Sequence, residues 1–168
     1  MYVWSERDKV VNVLTFAEQT DAAHTTDIVD MAKYKKCTFL IVTGAAALNI
    51  PLVTVNAGVD NTVCATQIIF KYRTQAAVAP QAVGSDLQSA LTAVTVAATG
   101  FNLITNIAGS LYIVEVDAAV VAAGLANADH VSLTLTPDGA THAVHNYCVL
   151  AILSEPRYPQ DVLETAIG

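Results

Sequence analysis

From Val131 to Thr136 the chain alternates Val131, Leu133 and Leu135 with the hydroxyl-bearing Ser132, Thr134 and Thr136. A period of two is the repeat of a β-strand with one apolar face and one polar face. The same period returns where Leu52, Thr54 and Asn56 alternate with Val53, Val55 and Ala57. Apolar runs rich in β-formers also cover Val11–Phe16, Cys37–Thr43, Thr62–Arg73, Phe101–Asn106 and Leu111–Asp117. No amphipathic helix of crossover length separates these runs, so a parallel α/β design is excluded.

Turn chemistry falls between the runs. Pro137-Asp138-Gly139 presets φ at its corner and offers glycine for the left-handed position. The spacing predicts a hairpin that joins Val131–Thr136 to a partner strand at Ala143–Leu153. A second strand pair is expected around Ala108-Gly109-Ser110, and Thr62–Arg73 reads as one long core strand. Residues 75–99, with Pro80 and Gly84, read as a loop-rich excursion with one or two weak strands. Only Met31–Lys36 and Ala118–Ala123 look briefly helical. About nine strands at intervals near a dozen residues predict an all-β fold, an antiparallel β-sandwich or jelly roll with Greek-key connections.

Composition narrows the class of partner. Hydrophobic residues reach 54% but aromatics only 7%, with 28 Ala and 22 Val, so the core is expected to be small and β-branched. Residues 1–73 hold seven basic and seven acidic groups, whereas 74–156 hold no Lys or Arg beside six acids. An acidic chain of net charge −7 is a poor nucleic-acid binder. The uncharged stretches 37–59 and 87–114 fail as membrane spans because Asn, Gln, Pro, Gly and Thr interrupt them. The charges in Met1–Lys9 are at odds with a signal peptide. Cys37, Cys64 and Cys148 are odd in number and lie in apolar runs, which predicts buried reduced thiols and folding in a cytoplasm.

Few residues carry chemical promise. His142, His145 and Cys148 have the spacing of a helical zinc set, yet on a strand position 145 points away from 142 and 148. No strained elbow or oxyanion motif accompanies any Cys and His pair. Asp60, Glu115, Asp117 and Asp138 fall at strand ends, where acids solvate turns as well as bind calcium. Lys33, Lys35 and Lys36 around Tyr34 read as a solvated turn. No catalytic residue, cofactor or metal is therefore expected. A single sandwich domain is expected over 1–155, and Pro156 and Pro159 turn 156–168 into an extended arm. Arg157, Tyr158, Val162, Leu163 and Ile167 on that arm are the expected interface residues, docking on a neighbouring subunit or shell.

The order of several segments resembles the small virion structural proteins of tailed bacteriophages. They are Thr26-Asp27-Ile28-Val29-Asp30-Met31-Ala32-Lys33-Tyr34, Leu52–Ala57, Ile69–Arg73, Tyr112–Asp117 and Leu150–Tyr158, which together span most of the chain. They are strand patterns rather than site signatures, and no catalytic residue is transferred with them. The resemblance implies a non-enzymatic decoration (cement) protein on the outer surface of the capsid, assembled in the host cytoplasm. Its partners would be the major capsid protein and further copies of itself, with a trimer favoured by the local threefold positions of a shell. A tail or head-completion component, or a carbohydrate-binding module with an exposed aromatic platform, are the alternatives.

Overall fold

The computed structural model describes residues 7–19, 22–46, 51–75, 87–103, 109–137 and 145–157, together with residue 167. Its strands are β1 Lys9–Gln19, β2 His24–Thr25, β3 Val29–Asp30, β4 Tyr34–Ala46, β5 Leu52–Gly58 and β6 Thr66–Ile68. They continue with β7 Phe70–Gln75, β8 Thr92–Val94, β9 Phe101–Asn102, β10 Leu111–Asp117, β11 His130–Thr136 and β12 His145–Pro156. One helix, α1 (Ala118–Gly124), and a 3-10 turn at Ala97–Thr99 complete the described elements.

Two antiparallel sheets form the all-β sandwich that the sequence predicts. Sheet A runs β1-β12-β4-β10-β7-β8, and sheet B runs β2-β11-β5-β6, with β3 also on β11 and β9 also on β5. The pairings nest in chain order. β1 pairs with β12, β2 and β3 pair with β11, β4 pairs with β10, and β5 pairs with β9. Successive pairs lie in alternate sheets, which is the jelly-roll path, and β6 to β8 are an excursion inside the innermost pair.

The alternating side chains meet between the sheets. Phe39, Ile41, Val114, Val149, Ala151 and Leu153 face Val53, Val55, Ala57, Val131, Leu133 and Leu135, all fully buried. Small β-branched residues suit the gap of about 10 Å between stacked sheets. Aromatic rings fill one region, where Tyr72 stacks on Phe101 at 4.1 Å between centroids and Phe101 also meets Phe70 and Tyr112 at 6.0 Å.

Four expectations are corrected by this topology. β11 and β12 are no hairpin, because β11 belongs to sheet B and β12 to sheet A. Likewise β9 and β10 lie in opposite sheets and do not pair; Gly109 donates to the carbonyl of Thr43, and Ala108 of the expected turn lies outside the described residues. The run 62–73 is two strands. The chain leaves sheet B at Ile68, exposes Ile69 and enters sheet A at Phe70, so both buried neighbours still reach the core. Met31–Lys36 is not helical, since Asp30 Oδ1 accepts the Ala32 N–H at 2.6 Å, a turn follows, and Tyr34 begins β4. By contrast, Leu111–Asp117 and the short helix after it form where the sequence places them. The excursion 75–99 contains β8 and the 3-10 turn, with 76–86 outside the described residues.

Candidate functional site

The alternation that buries one side of sheet A aims the other side outward. In β12 that side carries Cys148, Leu150 and Ile152, in β4 Thr38, Leu40 and Val42, and in β10 Leu111 and Ile113. Register places them in rows. Asn12, Leu150, Leu40, Ile113 and Arg73 form one row, while Cys148, Val42, Leu111 and Gln75 form the next. A third row runs through Val10, Ile152, Thr38, Glu115 and Lys71. The centre is therefore aliphatic across three strands, bounded at β7 by Lys71 and Arg73. These aliphatic residues stand half-buried or exposed, with Val10 at 45% and Val42 at 37%.

Sheet B has the opposite character. Its outward residues Thr54, Asn56, Ser132 and Thr134 are polar, and Asn56 Nδ2 donates to Thr134 Oγ1 at 2.9 Å. Thr54, Asn56 and Ser132 are nevertheless buried, with Gly100 lying on Thr54 and Cys64 on Gly58. A polar face is thus covered by the chain's own connections. The apolar face of sheet A is the one on which Val10 and Val42 meet solvent, and apolar patches bounded by polar groups mark interaction sites.

A cleft of about 530 Å³ lies at one end of the sheet A face, between β4, β10, β7, β8 and α1. Its walls combine Ile69 and Val120 with Lys36, Lys71, Glu115 and Asp117. Two of these charges have structural duties. Lys36 Nζ lies 2.6 Å from Glu155 Oε1, and the contact holds the glutamate below its usual pKa and the ammonium above its own. Asp117 Oδ1 accepts the Ala119 N–H at 2.8 Å and caps α1.

The residues singled out from the sequence scatter. Arg157 is exposed, and its backbone N–H donates to Lys33 O at 2.8 Å. Ile167 is half-buried and bridges Val29 of the same domain. Tyr158, Val162 and Leu163 lie outside the described residues, as do Asp138 and His142. Asp60 holds its own loop, accepting from the backbone and hydroxyl of Thr62, which lowers its pKa. Glu115 and Asp117 are exposed at the end of β10 and form no donor cluster with Asp60. Cys37 is buried, whereas Cys64 and Cys148 are half-buried; all three are free thiols.

The outward face of sheet A has its own signal in the sequence. Phe39-Leu40-Ile41-Val42 and Val149-Leu150-Ala151-Ile152-Leu153 are continuous apolar runs, the pattern of strands covered on both sides. Among the described residues no helix is long and apolar enough to cross a membrane. Comparison with protein-family models, with curated proteins and with solved structures returns no match.

Proposed function

We propose that this chain is a non-enzymatic decoration protein of a phage head, which binds the assembled shell and stabilises it through many protein–protein contacts. The supporting observation is the outward face of sheet A, where Leu40, Val42, Leu111, Ile113, Leu150 and Ile152 present aliphatic groups in register. An apolar centre with a charged border is the anatomy of a protein interface. Each copy needs only modest affinity, because a subunit that touches several shell proteins, or that trimerises, is retained by effective concentration. The partner in this reading is the major capsid protein, and the location is the outer capsid surface. The carbohydrate-module alternative finds less support, since Tyr34, Phe39, Phe70, Phe101, Tyr112 and Tyr147 are all core residues.

The test is retention on purified heads, scored by sedimentation and electron microscopy. Leu40→Lys and Ile113→Glu should each leave the far-UV spectrum unchanged, because both side chains point away from the core. Head binding should fall at least tenfold, which corresponds to about 1.4 kcal/mol. Unchanged retention of both variants would refute the assignment of this face. Density on tails rather than heads would move the protein to the tail. Sedimentation equilibrium of the free protein at micromolar concentration tests the trimer.

A further inference from the structure

At the opposite sheet, the β3–β11 ladder sets Asp30 directly across from His130. Asp129 precedes His130, and its carbonyl accepts the Met31 N–H at 2.7 Å, which ties the two chain segments together. The next pair of that ladder, Val29 and Val131, is fully buried, so the ladder is anchored in the core. On the other side, the turn 125–128 delivers Asp129 through Asn127 in the left-handed region (φ 62) and an Ala128 N–H to Leu125 O bond of 3.1 Å. One ligand atom from each of Asp30, Asp129 and His130 comes within 4.8 Å of the others, and all three side chains are half-buried. We propose that these three side chains bind one divalent transition-metal cation, Zn²⁺ or Mn²⁺.

The donor set fits that class. Two carboxylate oxygens and one imidazole nitrogen suit a metal that accepts both oxygen and nitrogen, with bonds of about 2.0–2.2 Å. Donors around a tetrahedral ion with such bonds stand about 3.3–3.6 Å apart, so coordination asks side-chain rotations to part His130 Nδ1 from Asp129 Oδ1, now 2.5 Å away, and to draw Asp30 in. Supporting groups are in place. The Ala32 N–H already orients Asp30 through Oδ1 and leaves Oδ2 for an ion. His130 Nδ1 lies 2.5 Å from Asp129 Oδ1, so the imidazole nitrogen and a carboxylate oxygen already share one place.

An independent observation comes from Tyr34. The residue is only 2% exposed, yet among the described residues its hydroxyl has no hydrogen-bond partner. Burial raises the phenol pKa, and the neighbouring charge of Asp30 adds to the effect. A buried hydroxyl within the field of a carboxylate calls for a polar partner. A hydrated cation on Asp30 would supply that partner. Asp60 adds a further negative charge near His130, although Thr62 already occupies one of its oxygens. The site does not depend on the proposed role at a shell.

The experiment uses the full chain, freed of metal by chelator and then titrated with ZnCl₂ or MnCl₂. Calorimetry should show one ion per chain, and a hundredfold excess over Kd should raise the melting midpoint by about 5–10 °C. In ¹H–¹⁵N spectra, Mn²⁺ should broaden amides 29–33 and 128–131 first. Asp30→Asn combined with His130→Gln should abolish both the heat and the shift. Absence of binding by both metals up to millimolar concentration would overturn the proposal, as would broadening centred elsewhere or a doubly substituted protein that retains the metal-induced shift. If that variant fails to fold, the location of Mn²⁺ broadening in the unaltered protein decides the matter.

Discussion

Cys37 is wholly enclosed between the sheets, and burial alone pushes its thiol far above the usual range. A thiol that cannot ionise is a poor nucleophile, so it should stay inert while the fold persists. With an excess of an aromatic disulfide reagent at pH 8, two of the three cysteines at most should react, and the third only after denaturant is added. Rapid release of three equivalents from the native protein would contradict this burial. The expectation of buried thiols was thus right for Cys37 and too strong for Cys64 and Cys148, whose neighbours on a face no local pattern reveals. Gly100 makes a second residue-scale case. It has φ +48° with ψ −150°, and a Cβ there would lie 2.2 Å from Val53 O. Gly100→Ala therefore combines backbone strain with a clash against a core strand and should cost about 1–3 kcal/mol in denaturant unfolding. A loss below a few tenths would show that this connection yields. The Asp30, Asp129 and His130 cluster was illegible for a plain reason: nothing in a one-dimensional reading sets residue 30 opposite residue 130 until β3 has been assigned to β11.

Among the elements, α1 was legible because its signals are local. Asp117 ends β10, accepts the Ala119 N–H, and precedes an Ala-rich turn of good helix formers. Asp117→Ala should cost about 1 kcal/mol by equilibrium unfolding, with Asp117→Asn largely preserving the cap. Equal losses from both substitutions would mean that the charge, not the cap, matters. Strand existence was equally readable in β5, β10 and β11, whereas strand partnership was not. The run through Ile68, Ile69 and Phe70 shows why: its buried residues point at one core whether they belong to one sheet or two. The contact between Lys36 and Glu155 joins β4 to the end of β12, where Glu155 takes a left-handed φ of 55°. Its pH dependence has a defined sign at each end. Because the folded Glu155 pKa is depressed, its contribution is present above the unfolded glutamate value of about 4.3 and is lost as pH falls through the folded value. Because the folded Lys36 pKa is raised, the complementary contribution is present below about 10.4 and is lost as pH rises through the folded value. Both groups are exposed, so the difference between Glu155→Gln and the parent protein should be small and should fade in high salt. A large, salt-independent difference at neutral pH would contradict a solvated pair.

For the whole molecule, the nested pairing orders the events of folding. β5 and β6 are separated only by the connection 59–65, whereas β1 and β12 join Lys9 to Leu153. Closing a short loop costs less entropy than closing one that spans nearly the whole chain, so contacts around β5 are favoured early and the β1–β12 ladder late. The two regions can be told apart by kinetics, since both contain fully buried core residues, Val55 in β5 and Leu153 in β12. Leu153→Ala should lose about 2–5 kcal/mol of stability. If its contacts form after the barrier, that loss appears as faster unfolding with an almost unchanged refolding rate. Val55→Ala, on the strand that pairs with β11, β6 and β9, should instead slow refolding in proportion to its own destabilisation. Stopped-flow circular dichroism across a denaturant series measures both limbs for each variant. Refolding of the parent protein should occupy milliseconds to seconds, as for other topologies dominated by non-local strand pairs. The order proposed here fails if Leu153→Ala slows refolding by as much as its lost stability allows while Val55→Ala leaves the refolding limb unmoved, because the chain would then be closing its longest loop first.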